Sequence, residues 1–201
     1  MASRTAPPSP THPPSAVTTR QHLSVRQQAT VRALLDAAEV LLRGGDYDSL
    51  TLRLVAAEAG VTHTTAYNYF SSKAHLVAQI FWRRLRGIPH PTHDPAATLT
   101  QRVDAALSEP GLALRDEPEL AQAALAALLT QDPDVQRLRD EIGADLAERL
   151  GTTFGDEVAA PVAETILLTF SGAMLQAGMG YFDFAGVVSR VLTAADLLET
   201  A

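Results

Sequence analysis

Residues 51–76 read TLRLVAAEAGVTHTTAYNYFSSKAHL. Thr51 stands where an N-cap is wanted, ahead of a short apolar segment (Leu52, Leu54, Val55, Ala56) that Gly60 terminates. Thr62 then caps a helix running through Phe70, and Ser71 or Ser72 opens another towards Arg86. Helix, tight glycine turn, helix is the order of a helix-turn-helix, whose second helix enters the major groove with a polar face outward and its other face locked on a core. Gly60 permits the turn, and Val61 fills the angle between the helices. His63, Thr64, Thr65 and Asn68 offer donors and acceptors to base edges. Tyr67, Tyr69 and Lys73 are placed to reach phosphates. Arg53 suits either, since a guanidinium forks onto guanine or phosphate. The capping residues Thr51 and Thr62 complete the set expected at DNA, and Phe70 is assigned to the core.

Upstream, Val31, Leu34, Leu35, Ala38, Leu41 and Leu42 form a helical stripe starting near Arg26, and Gly44-Gly45 stops it. Residues 1–24 hold five of the twelve prolines and little apolar surface, which predicts a disordered arm. Its Arg20, with Arg26, is available to lie along phosphates or a minor groove. Residues 25–86 therefore form the helix-turn-helix domain, and the proline-rich segment GIPHPTHDP after it is a linker. A second helical domain spans 96–201, with helices expected at 95–108, 117–130, 133–150, 156–180 and 183–199. Breaks are expected at Pro110-Gly111, Asp132-Pro133, Gly151 and the Gly178–Asp183 stretch. The fold class is all-α, as an Ala- and Leu-rich composition favours.

The formal charge of −7 hides a segregation. Residues 1–86 carry ten Lys/Arg against five acids, and the remainder six against eighteen, so only the first part attracts a polyanion. There is no Cys, which excludes disulfides, thiolate zinc sites and cysteine nucleophiles. No apolar run reaches the ~20 residues of a membrane span, and the expected location is the cytoplasm.

The Ala-Gly-Val-Thr turn, the Tyr-x-Tyr-Phe of residues 67–70 and the Ser-Lys that opens the fourth helix together resemble the DNA-binding signature of the tetracycline-repressor (TetR/AcrR) family, over about Arg26 to Leu85. The resemblance implies that the third helix is the recognition helix, that Arg53 reads or steadies DNA, and that Lys73 grips phosphate. Thr64 departs from the family's usual Gly, Ala or Pro, which changes base preference, and Ala66 from its usual Leu, which thins the packing. For the second domain the resemblance implies only an architecture, several helices forming an effector pocket and a dimerising four-helix bundle. That architecture and the excess of apolar positions suggest Leu125, Leu128, Phe170 and Met174 as pocket lining, with Gln176 as a polar anchor. The implied partners are double-stranded operator DNA, a small-molecule effector and a second copy of the chain. The apolar stripes of 156–180 (Val158, Val162, Ile166, Phe170, Ala173, Ala177) and 183–199 (Phe184, Val187, Val191, Ala195, Leu198) are the expected homodimer seam, with Ile166 and Val191 inside it. The function implied is a transcriptional regulator, a repressor released by its effector.

Neither a Gly-x-Ser-x-Gly elbow nor an HExxH is present, so no enzyme is expected, and no cofactor. His90, His93 and Asp94 have metal-ligand chemistry, but a proline-rich linker is a poor scaffold, and they are expected to be solvated with no metal bound. Arg83, Arg84 and Arg86 are expected to form a solvated helix end favoured by the dipole. The competing reading is a structural, DNA-compacting or protein-interaction helical module whose basic helix-turn-helix binds DNA without sequence choice.

Overall fold

The computed structural model describes residues 24–200. Among them the order is α1 (Val25–Arg43), α2 (Leu52–Glu58), α3 (His63–Tyr69), α4 (Lys73–Gly87), α5 (Leu99–Leu112), α6 (Pro118–Leu128), α7 (Pro133–Phe154), α8 (Ala160–Gly178) and α9 (Ala185–Glu199). The arm of residues 1–23, with Arg20, lies outside the described residues. α1 begins at a capping box in which Ser24 and Gln27 exchange side-chain and backbone bonds. Among the described residues no helix is long and apolar enough to cross a membrane.

α1 packs on α2 and α4, and α2 on α3, so Leu34, Ala38, Leu42, Val55, Ala56, Ala66, Phe70, Leu76 and Ile80 close one small core. α4 belongs to both halves: it also packs on α6 and α7, while α5 and α9 lie together with α8 beyond. One continuous hydrophobic core results, because α4, with Val77, Phe81 and Leu85 buried, packs on both halves.

Several expected boundaries moved. α5 runs through Pro110 to Leu112, although the ring removes one backbone N–H bond from that turn. A Cβ on Gly111 would stand 3.3 Å from both Phe170 and Val188, so the bare backbone lets α8 and α9 close on α5. α7 passes through Gly151, held by the buried Leu150, Thr153 and Phe154, and stops at Gly155, whose φ of 58° is left-handed. α8 starts at Ala160 rather than 156, because Pro161 is preset for a first helical turn.

Candidate functional site

The turn between α2 and α3 closes by two bonds, Gly60 N–H to Ala57 O (3.2 Å) and Val61 N–H to Ala56 O (2.9 Å), with Gly60 at φ 68°. This is a Schellman closure, which a side chain at residue 60 would strain. Val61 packs against the core, as the sequence suggested. Thr62 caps α3 by accepting from Thr65 N (3.1 Å), and the two hydroxyls also bond each other at 2.8 Å. Thr51 likewise accepts from Leu54 N (3.2 Å).

Ala66 is fully buried and Phe70 nearly so, which anchors one side of α3. The opposite side carries His63, Thr64, Tyr67 and Asn68, all exposed, Tyr67 at 57%. Arg53, also exposed, joins them from α2. Thr65 and Tyr69 are half-buried; Thr65 serves the cap, and Tyr69 packs on the core. Lys73 is engaged within the fold: its Nζ donates to Tyr47 O (2.9 Å) and Asp48 O (3.2 Å) and sits 4.4 Å from the Tyr47 ring centroid. An ammonium has three N–H groups, so one remains after these two bonds. The sequence did not reveal this tie, because it joins residues 25 and 26 positions apart.

The arginines after Lys73 are not the solvated helix end that was expected. Arg83 reaches Asp36 (2.6 Å) and Glu39 (2.7 Å), and Arg84 reaches Glu39 (3.0 Å) and Glu117 (2.5 Å), with Arg43 bridging Glu39 and Glu117. Only Arg86 stays out of it, over the Trp82 ring. The hydrogen bond from Arg84 holds the Glu117 carboxyl below its usual range, outweighing its partial burial. A depressed folded pKa contributes stability above the ordinary carboxylate pKa and loses it as pH falls through the folded value. The network therefore ties α1 and α4 to the start of α6 at neutral pH and lets go in acid.

Two buried arginines fasten the linker, which is consequently no loose tether. Arg149, 1% exposed, donates to Leu85 O (3.3 Å), Ile88 O (2.9 Å) and Pro89 O (2.9 Å) and pairs with Asp145 (2.7 Å). Arg102 donates to Pro95 O, Ala97 O and Phe154 O and pairs with Glu157. His90 bonds Asp145 (3.1 Å) and His93 bonds Thr153 O (3.1 Å), so neither is simply solvated as expected. Among the described residues no group of three His, Cys, Asp or Glu could hold a metal ion.

A cavity of about 410 Å³ lies between α4, α6, α7 and α8. Leu125, Leu128, Phe170 and Met174 line it, as do Phe81 and Ile142. Gln176, expected as its polar anchor, is exposed and outside the lining; Arg139 and Ser171 are its polar side chains instead. The cause is helical phase. Gln176 follows Met174 by two residues, about 200° round the helix from it. The dimer stripes also need correction. Ile166 is fully buried and Val191 2% exposed within one chain, packed between α5, α8 and α9. The outward face of α8 carries Leu168 (67% exposed) and Leu175 (39%), which also lines the cavity, and the exposed C-cap Met179 (58%) follows them.

Comparison with known proteins agrees with this geometry. The family model for bacterial regulatory proteins, tetR family, matches residues 34–80. An uncharacterized HTH-type transcriptional regulator of Mycobacterium tuberculosis is 40% identical over 168 residues, 83% of this chain and 78% of that one. The HTH-type transcriptional repressor KstR of Rhodococcus jostii is 30% identical over 125 residues, 62% of this chain and 58% of its own length. Among solved structures, a TetR transcriptional regulator from Rhodococcus sp. RHA1 superposes with a TM-score of 0.68 at 23% identity, covering 86% of this chain and 96% of that one. The last shows the fold, and the first relative shows the family. The chain belongs to the tetR family of bacterial regulatory proteins and is a DNA-binding transcriptional regulator.

Proposed function

We propose that the chain is a repressor that binds operator DNA as a homodimer and leaves it when a small molecule fills the α4–α6–α7–α8 cavity. His63, Thr64, Asn68 and Arg53 face the bases, while Tyr67 and the remaining N–H of Lys73 meet phosphate. Two outward α8 faces and the exposed Leu197 of α9 make the dimer, in a bundle of four helices.

A single joint carries the release half of this reading. α7, which lines the cavity, begins at its N-cap Asp132, and that carboxylate accepts from Ser72 Oγ (2.5 Å) and Ser71 Oγ (3.2 Å) in the turn after the recognition helix. Burial alone would raise the Asp132 pKa, but these bonds outweigh it and hold the carboxyl below its usual range, so the acceptor is ionised at neutral pH. A shift of α7 is thereby transmitted to the end of α3 through charge-assisted hydrogen bonds. Asp132→Ala is expected to retain operator binding and ligand binding measured separately while the ligand's effect on operator affinity shrinks. An unchanged coupling in a titration of DNA against ligand would show that release takes another route.

Operator selection from random DNA tests the DNA half and returns a half-site spacing. On the selected site Asn68→Ala is expected to cost roughly 1–3 kcal/mol with relaxed base choice. Lys73→Ala should weaken all DNA alike and lower the salt slope by about 1. It should also lower the melting temperature, since two carbonyl bonds are lost with it. A DNA-compacting module would instead show no specificity ratio, against the 10³ or so of an operator binder. Uniform loss from Asn68→Ala, with altered base preference from Lys73→Ala, would remove α3 from the groove.

A further inference from the structure

We infer that the cavity takes an amphipathic carboxylic acid, an aliphatic body among its apolar walls and a carboxylate on Arg139. This rests on the reading of the cavity as the effector site.

The wall is almost entirely hydrocarbon, with Phe81, Leu125, Leu128, Ile142, Phe170 and Met174 among its side chains. No acidic residue lines it, and Arg139 is its one charged group. The second domain is otherwise strongly acidic, and its arginines are mostly neutralised: Arg102 by Glu157, Arg115 by Asp116, Arg137 by Asp134 and Arg149 by Asp145. Arg139 has no carboxylate within ion-pair distance among the described residues, although it is half-buried. Its Nη1 donates to Leu128 O (2.6 Å) and Thr130 O (2.9 Å), which closes the C-terminal end of α6. That capping uses one nitrogen. It leaves Nε and Nη2 without a protein acceptor among the described residues, and these two form the side edge on which a guanidinium receives a carboxylate through two parallel hydrogen bonds.

A half-buried cation on a dry wall favours an anion, because the surrounding hydrocarbon strengthens the pairing that water would weaken. One guanidinium with no second cation beside it matches a singly charged carboxylate better than a phosphate dianion. The pinned Nη1 also preorganises the free edge, so little side-chain entropy is lost on binding.

The test uses the full chain and three matched probe series with octyl to hexadecyl chains: n-alkanoic acids, n-alkanols and n-alkylamines, titrated by calorimetry near neutral pH. The wild type is expected to prefer the acid over the alcohol of equal length by about tenfold to a hundredfold, with the amine weakest. Arg139→Gln should remove that preference while alcohol affinity stays within about twofold, and Arg139→Lys should keep part of it. If Arg139→Gln fails to fold, the acid, alcohol and amine order in the wild type still decides. Equal binding of acid and alcohol by the wild type, or an acid preference that survives in Arg139→Gln, overturns the acid assignment and leaves the effector cavity standing. Binding of none of the three series overturns both. Ligand-dependent release of operator by alcohols and acids alike would likewise retain the cavity and reject the acid.

Discussion

Arg149→Met is expected to destabilise the protein by about 3–5 kcal/mol, since it leaves the Asp145 carboxylate without its arginine in a nearly buried position. For a chain of this size that is a fall of roughly 10 °C in melting temperature. Arg149 is 1% exposed and fixes the end of α4 and the linker to α7, so three carbonyl oxygens lose a donor together. His90 remains within hydrogen-bond distance of Asp145 (3.1 Å) and offsets part of the loss. Adding Asp145→Leu removes the stranded charge, and the double variant should be more stable than the sum of the single changes implies, as a double-mutant cycle would read out. Additive losses would mean that the pair does not act as a unit.

Ile166→Glu and Leu168→Glu, two positions apart on one helix, are expected to fail differently. Ile166 is fully enclosed by its own chain, so a carboxylate there should unfold the second domain, with a cost of several kcal/mol seen as loss of cooperative melting. Leu168 is 67% exposed in the single chain and lies on the α8 face with Leu175, seven residues on, and the C-cap Met179 follows four residues later. Placing a charge there should leave the helical content and melting of the chain largely intact and turn dimer into monomer in sedimentation, with tight operator binding lost as well. Monomerisation by Ile166→Glu without unfolding, or a dimer that tolerates Leu168→Glu, would move the interface away from this face.

Most of the local structure of residues 51–76 is legible in the sequence. Thr51, Gly60 and Thr62 act within their own turns, as does Ser72 in its role as the cap of α4, and a cap or a left-handed glycine is decided by three or four neighbouring residues. The exposed face of α3 follows from helical period once Ala66 and Phe70 are inside. Leu125, Leu128, Phe170 and Met174, which line the cavity, are suggested by the architecture that the resemblance implies together with apolar positions in excess of one helix stripe.

What the sequence by itself determined, then, is the local grammar: all-helical elements, the turn of the helix-turn-helix, and which sides of the helices are apolar. The tertiary structure alone decided which apolar side meets its own chain and which is left for a partner, since hydrophobic attraction is non-directional and Ile166 and Leu168 are equally apolar. It also decided where charges go. Arg83 and Arg84 found acids some 30 to 50 residues away, Arg149 found carbonyls 60 to 64 residues away, and Lys73 found the backbone of Tyr47 and Asp48. A cation's partner is whatever oxygen the packing of distant helices brings within about 3 Å, and that separation is written in no local pattern.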